Sequence, residues 1–155
     1  MKFFISHKQE DSFIASKIHL LLRLKDIDAY IDLLDSSITE DGKKLTDHIK
    51  ANLNDCTDII VIMSENTHYS QWVPFEIGIA TQIELPIATF LSANVTLPGF
   101  LDYWPRLKTI ADIDKYVDAR LLVSKKMKYM YENKQFESRK RTEIDMFYNE
   151  LKSKL

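Results

Sequence analysis

The sequence contains few of the residues that mark several common kinds of site. Cys56 is the only cysteine in the 155 residues, so an internal disulfide is impossible and a reducing compartment is expected. Only three glycines are present, and neither GxGxxG nor GxxxxGK occurs. We therefore expect neither a Rossmann dinucleotide site nor a P-loop. The four histidines show no HExxH or other metal-ligand spacing, so no metal site is expected.

The chain also lacks a long apolar run and a strong charge of one sign. No apolar run approaches the length of a membrane span, and strand-like sequence from Lys2 leaves no room for a signal peptide, so we expect a cytoplasmic protein without membrane contact. The net charge of −2 is not that of a nucleic-acid binder. Residues 125–155 nevertheless carry nine basic and five acidic residues, a net of +4, against −6 for the remainder. This basic tail is either a solvated helix face or a docking surface.

Short apolar segments alternate with segments of helical periodicity. The strands are predicted at 2–6, 28–34, 58–64 and 85–92, with a short fifth at 107–112. The helices are predicted at 11–26, 45–55 and 70–80, and from 114 onward with a break near 132–135. This order predicts βαβ units, hence an α/β domain with a parallel sheet and helices on both faces.

Ligands of such sheets bind beyond the carboxyl ends of the strands, near the topological switch point. Three segments follow predicted strands and are therefore candidate site regions: 6–11, 34–42 and 64–76. The second is a polar loop that contains Gly42, a residue free to adopt positive φ.

Glu76 is a single carboxylate in the otherwise apolar helical segment "SQWVPFEIGIA" (70–80). Trp72 precedes it by four positions, so both side chains project from the same helix face. One interpretation is a site built from this pair. The other is a core tryptophan and a glutamate that the helix dipole favours near the N-terminus.

The remaining candidate groups are the histidines and the cysteine. His7 and His68 lie in loops at the predicted site edge and remain functional candidates, whereas His19 and His48 are expected on helix surfaces. Cys56 has no paired motif and precedes the central strand, so we expect a buried, inert thiol.

Four segments in this order resemble a TIR (Toll/interleukin-1 receptor) domain: "FFISHKQED", the loop with Gly42, "DIIVIMSENTHYSQW" and "WVPFE". The single-domain form is similar to bacterial TIR proteins, including those of the Thoeris antiphage systems. The resemblance implies a flavodoxin-like, parallel five-stranded sheet with helices on both faces (the TIR fold) for residues 1–115. Residues 116–155 would be a C-terminal helical extension packed on or beside that domain.

The resemblance also implies an activity. Enzymatic TIR domains use an aligned glutamate to cleave NAD⁺ between nicotinamide and ribose, and by position that residue is Glu76. Trp72 would line the pocket, and Ser6, His7 and Lys8 would border the nucleotide. Lys8 replaces the arginine of many enzymatic members, so it offers a point charge instead of a bidentate fork.

In this reading NAD⁺ is the substrate, no cofactor is needed, and the chain self-associates through TIR surfaces. The product would be a linear, cyclic or conjugated ADP-ribose that signals to a separate effector in antiphage defence. Two alternatives stay open: a non-catalytic TIR interaction module, and a related enzyme that processes another nucleoside with the same glutamate.

Two apolar stripes in the tail need covering. The first is Tyr116, Leu121, Leu122, Met127, Met130 and Tyr131, and the second is Phe136, Ile144, Phe147, Tyr148 and Leu151. The second stripe either packs back onto the sheet or holds a partner or a second copy.

Overall fold

The computed structural model describes residues 1–31, 42–67, 70–92, 95–97, 99–133 and 140–155. The strands are β1 (Lys2–Ser6), β2 (Asp28–Ile31), β3 (Asp58–Met63), β4 (Ile87–Leu91) and β5 (Arg106–Leu107). The helices are α1 (Ser12–Arg23), α2 (Gly42–Asn54), α3 (Trp72–Gln82), α4 (Ile110–Glu132) and α5 (Lys140–Lys152), with short 3₁₀ helices at Gln9–Asp11 and Gly99–Leu101.

The strands form one parallel sheet in the order β2-β1-β3-β4-β5. This is the flavodoxin-like order, so the predicted α/β fold with a five-stranded parallel sheet is confirmed. The order reverses at β1, which pairs with β2 on one side and β3 on the other. The topological switch point therefore lies between β1 and β3.

Two apolar cores cover the two faces of the sheet. β3 is buried at all six positions, as expected for a central strand with both faces covered. On one face, α1, α4 and α5 pack over Phe3, Ile5, Ile60 and Ile62. On the other face, α2 and α3 pack over Phe4, Ile59, Val61 and Met63.

The structure moves the predicted start of α2 and shortens the predicted fifth strand. Gly42 is the first residue of α2 and not a loop residue with positive φ, since no described glycine has a positive φ. The fifth strand is only Arg106–Leu107, because Thr109 and Asp112 form a capping box that starts α4 instead. The second strand is described over Asp28–Ile31, and the rest of its prediction, 32–34, lies outside the described part of the chain together with residues 35–41.

The C-terminal helices pack on the sheet. Phe147 and Leu151 of the second stripe are fully buried in the core beside α1 and α4, whereas Phe136 lies outside the described residues. At the start of β3, the buried Asp58 accepts hydrogen bonds from Tyr116 Oη at 2.9 Å and Arg120 Nε at 2.7 Å. Phe147 and Leu151 of the second stripe thus pack internally. α4 runs across the division between residues 115 and 116, which stays a prediction as a domain boundary.

No helix in the described ranges is long and apolar enough to span a membrane.

Candidate functional site

Glu76 lies at the carboxyl edge of the sheet, next to the end of β1. It is the fifth residue of α3, and its side chain turns inward, since the residue is only 1% exposed. Ser6, the last residue of β1, is fully buried and its Oγ donates a 2.5 Å hydrogen bond to Glu76 Oε2. The fold thus places a buried carboxylate beside the topological switch point. Burying a carboxylate costs stability unless hydrogen bonds compensate, so a buried one at this edge is a candidate functional group.

Trp72 is partly buried at the first position of α3. It packs against the core on the α2 and α3 side of the sheet, and its ring meets Phe75 edge-on with centroids 5.9 Å apart. Trp72 therefore has a packing role. A role in lining a substrate pocket stays a prediction.

His7 and Lys8 follow β1 directly, on the same edge. His7 is 9% exposed, and its Nε2 lies 3.3 Å from Ser12 Oγ at the start of α1. Lys8 is partly buried, and its Nζ pairs with Glu10 Oε1 at 3.1 Å. A backbone N–H together with Lys8 lowers the pKa of the Glu10 carboxyl. His7 and Lys8 thus follow Ser6 on the loop beside the switch point, while His68 lies outside the described residues.

A second buried polar cluster at this edge consists of Asp11, Ser64 and Thr67, which lie in two of the predicted site regions but were not predicted to meet. Ser64 Oγ donates to Asp11 Oδ2 at 2.6 Å, and Thr67 Oγ1 lies 3.2 Å from the same oxygen. All three residues are at most 5% exposed. The cluster joins the segment after β1 to the turn after β3. The only sequence signal was a polar residue close behind each strand, which does not say which residues meet.

The possible metal ligands and the one cysteine lie as follows. Within the described ranges, no group of three or more His, Cys, Asp or Glu side chains could hold a metal ion. Cys56 is 6% exposed, and burial raises the pKa of its thiol to about 11. It precedes β3, at the opposite end of the strand from Ser64. An inert, buried thiol is the interpretation that these observations favour.

Comparisons with known proteins agree with the motif resemblance. A family model described as TIR domain matches residues 3–126. The solved TIR domain of a Toll-related receptor, TRR-2, from Hydra magnipapillata is 16% identical, covering 67% of this chain and 82% of its own, with a TM-score of 0.55. A 2-deoxyribosyltransferase from Bacillus psychrosaccharolyticus is 14% identical, covering 73% of this chain and 90% of its own, with a TM-score of 0.60. At these identities the two structures show a shared fold. No curated protein sequence matched the chain.

Proposed function

Because this chain belongs to the TIR domain family, we propose that it cleaves NAD⁺ between nicotinamide and ribose, with Glu76 as the catalytic carboxylate. The observation that carries the proposal is the buried Glu76 carboxylate, held by Ser6 at the carboxyl edge beside the switch point. Parallel α/β sheets bind their ligands at that place.

One carboxylate is sufficient for this bond. When the bond between ribose C1′ and the pyridinium nitrogen breaks, its electron pair neutralises the nicotinamide, so the leaving group needs no proton. O-glycosidases, by contrast, use a second carboxylic acid to protonate the leaving oxygen. The ribose becomes oxocarbenium-like in the transition state. A carboxylate that accepts hydrogen bonds from the ribose hydroxyls stabilises that positive charge more than it stabilises the ground state.

The neighbouring residues have complementary roles in the proposal. The Ser6 hydroxyl fixes the rotamer of Glu76 through its hydrogen bond to Oε2. Trp72, one helical turn before Glu76, offers a face on which a ring of the nucleotide stacks. His7 and Lys8 border the nucleotide, and Lys8 attracts a phosphate as a point charge.

The exposure of Glu76 bears on how the substrate enters. A carboxylate that is 1% exposed cannot contact a ribose hydroxyl until nearby groups move. The described conformation is therefore closed in our proposal, and NAD⁺ binding or self-association opens it. We propose that the glycine-containing segment "SSITEDGKKL" (36–45) of a neighbouring copy takes part, so activity per molecule rises with protein concentration.

The biological role follows from the chemistry as a further part of the proposal. The product is a linear, cyclic or conjugated ADP-ribose that diffuses in the cytoplasm to a separate effector, as in Thoeris-like antiphage defence. The interaction-module alternative requires the same fold without turnover. The nucleoside alternative has one specific observation in its favour, the fold shared with a 2-deoxyribosyltransferase.

Incubation with NAD⁺ separates these candidates. The purified chain is incubated with NAD⁺ over a wide range of protein concentrations, and nicotinamide and the ribosyl products are separated by chromatography. A parallel reaction contains a 2′-deoxynucleoside and a different free base. Nicotinamide release supports the proposal, and base exchange without NAD⁺ cleavage supports the nucleoside enzyme. No turnover at any concentration supports the interaction module.

A further inference from the structure

We infer that Asp11 is a positioning residue that fixes the start of α3, and with it Glu76, through a chain of hydrogen bonds. The inference depends on the proposed function only for its effect on turnover. The hydrogen-bond chain itself is a feature of the fold and can be tested without any enzymatic activity.

Asp11 makes a contact that its sequence position does not suggest. It directly precedes α1, where an aspartate commonly caps the helix with its side chain, yet it makes no such bond. Its carboxylate instead reaches Ser64, 53 positions along the chain, and accepts a 2.6 Å hydrogen bond from Ser64 Oγ. A carboxylate acceptor makes this bond stronger than a neutral one. Asp11 therefore ties the segment after β1 to the turn after β3.

From that turn, hydrogen bonds continue step by step to α3. Ser64 Oγ, which donates to Asp11, accepts from Thr67 N at 3.4 Å. Thr67 Oγ1 lies 3.2 Å from Asp11 Oδ2 and 3.1 Å from the Ile62 carbonyl, so its one proton is shared between these two acceptors. The Thr67 carbonyl accepts from Ser70 N at 3.0 Å. Ser70 Oγ in turn accepts from Val73 N at 3.2 Å. Val73 lies in the first turn of α3, three positions before Glu76. The hydrogen bonds therefore connect Asp11, Ser64, Thr67, Ser70 and Val73 in that order.

These hydrogen bonds therefore connect the segment that follows Ser6 to the helix that carries Glu76. Ser6 ends β1, five positions before Asp11, and Glu76 lies in the helix that the chain of hydrogen bonds anchors. A displacement of α3 would move the Glu76 carboxylate relative to the ribose. Displacements near 1 Å can cost on the order of 10²-fold in rate. Asp11 itself touches no reacting atom. We expect its loss to lower turnover because α3, and with it Glu76, would no longer be held in position.

The test compares Asp11→Asn with Asp26→Asn, a matched change at an exposed aspartate remote from the site edge. For each protein we would measure kcat and KM for NAD⁺, the unfolding midpoint, and amide hydrogen exchange at residues 66–73. For Asp11→Asn we expect kcat to fall about 10–10²-fold with KM within about threefold, and faster exchange at Thr67, Ser70 and Val73. Asp26→Asn should change none of these.

If the fall in kcat is fully explained by the fraction of Asp11→Asn protein that is unfolded in the assay, Asp11 has only a structural role and the inference is overturned. Unchanged exchange at Val73 would overturn it as well. If the wild-type protein releases no nicotinamide, the proposed function fails, and the exchange comparison alone decides the inference. If Asp11→Asn does not fold, the near-isosteric Thr67→Val undergoes the same measurements, with the same results expected.

Discussion

Replacing Phe147 by alanine tests whether α5 is part of the domain core. The Phe147 side chain is fully buried, and its ring centroid lies 4.8 Å from that of Tyr116 and 5.4 Å from that of Tyr148. The Arg120 guanidinium lies 5.2 Å from the same ring centroid. A Phe→Ala change at such a site costs about 3–5 kcal/mol, out of a total of about 5–15 kcal/mol for a typical domain.

Urea unfolding followed by circular dichroism measures this loss. With a slope of about 2 kcal/mol per M, a loss of 4 kcal/mol lowers the midpoint by about 2 M. Phe13→Ala is the matched control, because Phe13 is 71% exposed on α1. Its contact with Lys17 should be worth no more than about 1 kcal/mol. Equal small losses for the two variants would refute the packing of α5 described above.

Three further outcomes are expected. Burial alone would raise the pKa of Asp112, but Lys115 and the backbone N–H groups of Lys108 and Thr109 outweigh it and lower the pKa from 3.8 to about 2. The ionised carboxylate therefore stabilises the fold above about pH 4, and this contribution, roughly 1–2 kcal/mol, is lost as the pH falls towards 2. Asp112→Asn should accordingly lower the free energy of unfolding at pH 7 and change it little near pH 2. An equal loss of unfolding free energy at both pH values would contradict this. Glu84 follows α3 with a φ of 54°, in the left-handed region that is unfavourable for a residue with a Cβ but not for glycine. Glu84→Gly should therefore raise the thermal midpoint, by the equivalent of up to about 1 kcal/mol in the free energy of unfolding, and a lower midpoint would contradict this backbone conformation. Trp72→Ala should weaken NAD⁺ binding by about 1–3 kcal/mol while Trp72→Phe retains part of it, and if Trp72→Ala simply unfolds the protein, its role is packing alone.

The central strands were predictable because their signals are local. β1 begins and ends where the apolar run "KFFIS" does, and β3 differs from its prediction by one residue. The parallel orientation of the strands followed from the alternation of strands and helices, whereas their flavodoxin-like order was implied only by the resemblance to a TIR domain. The start of α4 also had a local sequence signal, the capping-box spacing of Thr109 and Asp112. The apolar residues around these two positions nevertheless favoured the prediction of a longer fifth strand. Gly42 was misplaced because glycine and polar neighbours favour a loop, whereas the following apolar stripe extends the helix back to it.

The candidate site was predictable only as a region. The rule for parallel sheets indicates the edge and the three segments that contribute to it. It does not say that Ser6 meets Glu76, 70 positions away. It also does not say that Asp11 turns away from its own helix towards Ser64. Such pairs depend on the packing of α3 against the sheet, which no local pattern encodes.

The most direct test of the central claim is the NAD⁺ cleavage rate of Glu76→Gln. Glutamine has nearly the same shape and can still accept the Ser6 hydrogen bond, so the fold and thermal midpoint should be retained. Glu84→Gln is the matched control, a glutamate just beyond the end of the same helix. We expect Glu76→Gln to lower kcat by about 10²–10³-fold and Glu84→Gln to leave it unchanged. Wild-type turnover by a folded Glu76→Gln protein would contradict the assignment of Glu76 as the catalytic carboxylate.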